Sequence, residues 1–179
     1  LINMVMKHSF VTPKMLAVGG IVLFAAFMRL IPHYPNFTPI AAIALFGGAH
    51  FSKKWLAYLV PLFALFVSDL LIGFHNFMIP VYVSFALVVA LGGLLKGRIS
   101  LLSVPLAGIA SATLFFLLTN FAVWIGSPYY AQNMGGLIAC YTAAIPFYHT
   151  QLLGDLFYSS VFFGGFYLLG QRYPVLKQA

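Results

Sequence analysis

The sequence predicts an all-α, polytopic transmembrane bundle of about six helices with both termini in the cytoplasm, and three observations predict it. First, 63% of the 179 residues are hydrophobic and 6% are charged, with a mean hydropathy of +1.01. Soluble domains run at roughly 45–50% apolar and about 25% charged. A bilayer covers such apolar surface with lipid, and it then demands helices or a closed barrel because no water reaches an unpaired backbone group. Second, the apolar runs are long and uninterrupted, whereas barrel strands alternate over roughly ten positions. Third, the basic residues fall almost entirely on one side of the resulting spans.

The elements follow in order. Residues 1–14 form a cytoplasmic segment carrying Lys7 and Lys14. The transmembrane domain, 15–170, opens with a span from Met15 to Ile31 closed by Pro32 and Pro35. A cleaved secretory signal is the rival reading of this span. Phe24-Ala25-Ala26-Phe27 is a poor small-residue cleavage site and Arg29 follows at once, which favours retention. Pro39 to Phe51 is short for a span of roughly 20 residues, so a tilted, partly buried helix is expected there. Spans from Trp55 to Phe74, Met78 to Leu95 and Ile99 to Ile125 come next, with Pro105 near the start of the last. Gly126 to Gln151 reads as a loop containing a short surface helix near Leu137 to Ala144, which Pro146 ends. Leu152 to Gly170 completes the six, and 171–179 is a cytoplasmic tail. No linker, low-complexity tract or internal repeat divides the chain, so it reads as one domain.

Charge tests the helix count. With the N-terminus inside, the cytoplasmic side receives Lys7, Lys14, Lys53, Lys54, Lys96, Arg98, Arg172 and Lys177, and the outside receives only Arg29. Adding or dropping one span would mix the two groups, so this split supports six spans under the positive-inside rule. The same scatter explains the net charge of +7 without nucleic acid, since no basic patch forms.

The remaining polar residues collect on the outer side. Arg29, Asp69, Asn120 and Asp155 all fall near outer helix ends, and Asp69 and Asp155 are the only acids in the chain. His33, Asn36, His75, Asn76, His149 and Gln151 lie in the adjoining outer loops. A charge within a span costs about 2.5–3.5 kcal/mol at the helix centre, so such residues normally face a bundle interior or a water-filled cavity. Arg29 with Asp69 or Asp155 is either a structural ion pair or the polar lining of an outward pocket rimmed by aromatics such as Tyr34, Tyr82, Trp124 and Tyr158. Those aromatics also suit an interfacial belt. Pro35 to Ala42 is the most motif-like stretch: its prolines break the helix, and Asn36 and Thr38 are placed to cap the next one. The small residues Ala41, Ala42, Ala44, Gly47, Gly48 and Ala49 suit close helix packing. Candidate substrate-binding residues are therefore Arg29, Asn36, Asp69, Asn120, Trp124, His149 and Asp155. The lone Cys140 excludes an intramolecular disulfide and any multi-cysteine metal site. No nucleophile accompanies the two carboxylates, so no enzyme, cofactor or resident metal is expected.

With Arg29, Pro35-Asn36-Phe37-Thr38-Pro39, Leu45-Phe46-Gly47-Gly48, Ser68-Asp69 and Thr119-Asn120-Phe121 in view, the chain from Met15 to Gly170 resembles an uncharacterised family of bacterial six-helix integral membrane proteins. In size, helix number, N-in topology and outward polar pocket it is similar to the substrate-binding S components of energy-coupling-factor vitamin transporters. The resemblance implies a multi-pass protein of the bacterial cytoplasmic (inner) membrane. It would bind a vitamin or similar micronutrient from outside and move it inward by toppling in the lipid, with coupling subunits or alone. S components often carry an Ala-x-x-x-Ala docking motif on the first helix, but here Ala17 is followed four residues later by Ile21. A corrinoid, approached at its cobalt by Cys140 or a histidine, is one candidate substrate. The competing reading is an accessory subunit of a larger membrane complex, packing against other subunits, lipid, quinone or pigment; an intramembrane enzyme is a third. A transporter predicts a pocket between Arg29, Asp69, Asn120 and Asp155, and an accessory subunit predicts those groups mutually satisfied with no cavity.

Overall fold

A computed structural model describes residues 12–28, 30, 31 and 34–177. Among them are six α-helices and no strand: α1 (Pro13–Met28), α2 (Ile40–His50), α3 (Lys54–Ile72), α4 (Met78–Leu94), α5 (Ser103–Gly126) and α6 (Met134–Arg172). A 3₁₀ turn, Pro174–Lys177, follows. Three of these, α3, α5 and α6, are long and apolar enough to cross a membrane. Large apolar side chains cover the outside of the bundle, with Leu101 fully exposed and Ile79, Phe27 and Leu94 more than two-thirds exposed. Such an exterior suits lipid and not water.

The helix ends follow local chemistry. At α1, Thr12 Oγ1 accepts the Met15 amide at 3.2 Å, and Pro13, which has no amide hydrogen to lose, takes the first helical position. Proline at 35 and Asn36 in the left-handed region (φ 61°) make a turn closed by the Phe37 amide on the Tyr34 carbonyl at 2.9 Å. This corrects the expected capping role of Asn36 and Thr38, because Pro39 precedes α2 and no side chain caps it. At the other end of α2, Lys96 Nζ reaches across from the loop after α4 to the Phe51 carbonyl at 2.7 Å, where a cation complements exposed helix carbonyls.

α2 is the centre of the bundle. Ala41 through Ala49 are all buried, so this short helix is enclosed by protein and not partly lipid-facing as its length suggests. Its small residues allow backbone contact with α4: a Cβ on Gly48 would collide with the Val89 carbonyl oxygen, and one on Gly92 with the Leu45 carbonyl oxygen. On a second side Gly47 accommodates Pro61 of α3, whose ring carbon would stand 2.9 Å from an added Cβ. On a third, Phe46 meets Phe163 and Phe166 of α6 edge-on at 5.3 and 5.5 Å. These contacts also give direction. Phe37 pairs with Phe157 and His50 with Phe166, so α6 runs parallel to α2. α3 runs antiparallel to α2, with Pro61 beside Gly47 and Ser68 beside Ile40.

The largest departure from the sequence reading is α6. Pro146 does not end a surface helix, and the expected loop from Gly126 to Gln151 is mostly helix. A single helix of 39 residues runs through Pro146, capped by Asn133, whose side chain accepts the Gly136 amide at 2.9 Å. Its first half returns antiparallel along α5. Cys140 Sγ meets the Asn120 carbonyl at 3.5 Å, Tyr141 Oη donates to the Leu117 carbonyl at 2.6 Å, and the Tyr148 and Thr113 hydroxyls are 2.9 Å apart. Pro146 itself is exposed, and the helix continues through it with Tyr141 and Tyr148 on either side bonded to α5. At 1.5 Å per residue α6 is about 58 Å long, nearly twice the ~30 Å hydrocarbon thickness.

Candidate functional site

Each helix, or the turn after it, sends residues to one cavity of about 520 Å³ beside the N-terminal end of α2. That volume lies within the range of about 300–1,000 Å³ typical of small-molecule sites. Asn36 and Thr38 come from the Pro-broken turn before α2, His75 from the turn after α3, and Gln151 and Asp155 from α6. The apolar wall is Ile40, Val81, Phe85 and Phe115, with the rings of Phe85 and Phe115 5.1 Å apart. Leu30 and Ile31, following α1, complete it.

The two acids are placed differently. Asp69, 1% exposed at the last turn of α3, accepts the Tyr82 hydroxyl of α4 at 2.8 Å and so ties those helices together. Asp155, 2% exposed, lies against the cavity, with Gln151 facing its carboxyl from one turn earlier. Its Oδ2 has no hydrogen-bond partner among the described residues. The hydroxyls of Ser111 and Ser159 are likewise buried and unpartnered among them.

The candidate residues thus separate. Asn36 and Asp155 meet at the cavity. Asp69 is in the α3–α4 contact and does not line it. Asn120, expected in a pocket with both acids, instead donates from Nδ2 to the Phe116 carbonyl of its own helix at 2.8 Å and stands on the α5–α6 contact. Trp124 Nε1 donates to the Ala131 carbonyl at 2.9 Å, latching the turn between α5 and α6. His149 is exposed beside Tyr148. Arg29 lies outside the described residues, and with it the expected ion pair. The cavity also recruits Thr38, His75 and Gln151, which the candidate set omits. Their signal was legible for His75 and Gln151, which the sequence reading sets among the polar residues of the outer loops, although Gln151 lies within α6. For Thr38, the helix-capping reading concealed it. Among the described residues no group of three His, Cys, Asp or Glu is placed to hold a metal.

Residues 10–176 match the model of a family of unknown function (DUF6580), and the chain belongs to that family. No curated protein and no solved structure is significantly similar to it.

Proposed function

We propose that the chain is a membrane-embedded substrate-binding protein that takes up a vitamin or similar micronutrient, in the manner of an S component, through the cavity beside α2. The observation that carries this reading is the convergence of Asn36, Thr38, His75, Gln151 and Asp155 on a cavity of about 520 Å³ walled by Phe85 and Phe115. An apolar wall with a few converging polar groups is the usual composition of a small-molecule site. The volume suits a ligand of single- or double-ring size and is too small for a corrinoid, and Cys140 is buried against the Asn120 carbonyl, away from the cavity lining.

The proposed setting is the bacterial cytoplasmic membrane, six helices, N-terminus inside. It is supported by α2 and α6 running parallel with α3 opposed, and by Lys96 meeting Phe51 at one end of the bundle while Asn36, His75 and Gln151 meet at the other. The test has two arms. Maleimide labelling of Ile99→Cys should require permeabilised cells and that of Tyr129→Cys should not, with the buried Cys140 silent. Purified protein should carry a small molecule detectable by native mass spectrometry. Gln151→Leu should weaken whole-cell uptake of that compound tenfold or more, equivalent to about 1.4 kcal/mol. Protein that carries no small molecule, together with a Gln151→Leu strain that grows as wild type on every limiting vitamin, would replace this reading with the accessory-subunit one.

A further inference from the structure

Helical serine and threonine hydroxyls normally fold back onto a carbonyl one turn earlier, and most in this chain do so. Ser68 donates to Leu65, Ser84 to Pro80, Thr113 to Ile109, Thr119 to Phe115 and Ser160 to Leu156, at 2.7–2.8 Å. Ser111 and Ser159 do not, although both are 1% exposed. Ser159 stands four residues after Asp155, so the two share a face of α6. A methyl group on Gly108 of α5 would stand 3.9 Å from both Ser159 Oγ and the Asp155 carbonyl oxygen. Gly108, Ser111 and Phe115 recur at helical spacing on α5, and Phe115 lines the cavity with Asp155. Ser111 therefore stands on the same face of α5, between Gly108, which faces Ser159 and the Asp155 backbone, and Phe115, which borders the cavity. Asp155 Oδ2, Ser159 Oγ and Ser111 Oγ are each sealed from solvent without a hydrogen-bond partner among the described residues, and they stand on α5 and α6 where these helices meet beside the cavity.

A buried carboxyl engaged only by a side-chain amide is incompletely compensated, and each buried hydroxyl without a partner adds a further cost. One small hard cation removes all three costs at once, because oxygen lone pairs from separate residues coordinate it together. A single carboxylate with neutral hydroxyls balances one positive charge, whereas divalent sites add carboxylates or keep water and phosphate. We propose that Asp155, Ser159 and Ser111 form a sodium site at the floor of the cavity, so that sodium entering from the same side as the ligand is a coupling ion. The coupling rests on the uptake reading above; the site itself does not. The absence of the Ala-x-x-x-Ala docking motif on α1 fits a carrier driven by an ion gradient in place of a coupling module.

The test uses the full chain in detergent, unfolded thermally in NaCl, KCl or choline chloride at constant ionic strength. Sodium should raise the midpoint saturably, by about 3–6 °C at ten times its dissociation constant, and potassium and choline should not. Ser159→Ala and Asp155→Asn should each abolish the sodium-specific rise, while Ser160→Ala, whose hydroxyl is already bonded to Leu156, should retain it. Ser159→Ala keeps the test decisive if Asp155→Asn fails to fold. Equal midpoints in all three salts overturn the site, as does a sodium rise that survives Ser159→Ala. A sodium rise in protein that binds and transports no micronutrient leaves the site standing and removes the uptake reading. Micronutrient uptake that is unchanged when choline replaces sodium removes the coupling.

Discussion

The two ends of α2 are built on opposite principles. Toward its C-terminus the helix meets α4 backbone to backbone, with Gly48 against Val89 and Gly92 against Leu45, and Phe46 fills the space toward α6. Toward its N-terminus the same neighbours draw apart, and Ile40 and Ala41 face a cavity that ends at Asp155. At the closed end small residues bring the helices together and the polar groups present, His50 and Lys96, bond to backbone carbonyls; at the open end one oxygen of Asp155 has no partner among the described residues. The paired acid repeats the lesson: Asp69 holds a hydroxyl from α4, and Asp155 presents an oxygen that nothing in the described chain engages.

The largest effect should come from the closed end. Gly48→Leu should abolish recovery of folded protein in size-exclusion chromatography, because the side chain must displace the Val89 backbone and not a flexible neighbour. Gly48→Ala should already cost about 3 kcal/mol in unfolding free energy. Wild-type stability for either would mean that α2 and α4 are farther apart than this contact requires.

The two acids provide the next measurement. Tyr82→Phe removes a donor from a buried carboxylate and should destabilise by about 1–3 kcal/mol. In sodium-free buffer Asp155→Asn should be neutral or stabilising, since an isosteric amide replaces a buried charge that lacks a full set of partners. If Asp155→Asn proves the more damaging of the two, the contrast between paired and unpaired acids is wrong.

The smallest effect is expected at Asn120. Its amide serves its own helix, so Asn120→Leu should change stability by about 1 kcal/mol or less and leave micronutrient uptake at the wild-type rate, in contrast to Gln151→Leu. A tenfold loss of uptake in Asn120→Leu would extend the ligand site up the α5–α6 contact.

Individual residues show where sequence reading succeeded. The apolar runs gave the helices α1, α3, α4 and α5 to within a few residues, because burial of a backbone in lipid leaves helix as the local solution. Gly47 and Gly48 were recognisable as packing residues because small side chains are what permits helix contact in lipid. Asn36 and Asp155 stood out as rare polar groups, which the cost of burying them makes conspicuous; both border the cavity, Asp155 from the middle of α6 and not from a helix end. Pro146 misled: proline commonly ends a helix, but here contacts to α5 at Tyr141 and Tyr148 flank it and the helix runs on. Asn120 misled because an amide in an apolar helix demands a partner, and the nearest was its own Phe116 carbonyl.

Composition and apolar run length determined on their own that the chain is helical, with helices long and apolar enough to cross a membrane, because those properties depend on each residue's own transfer free energy and not on its neighbours. Which polar residues meet, that Asp69 accepts Tyr82 while one oxygen of Asp155 stays unengaged among the described residues, and that the opening lies beside α2 were decided only by the tertiary structure. Sequence spacing sets the face of one helix, but helix crossings, governed by the contacts of Gly48 and Gly92, set which faces converge.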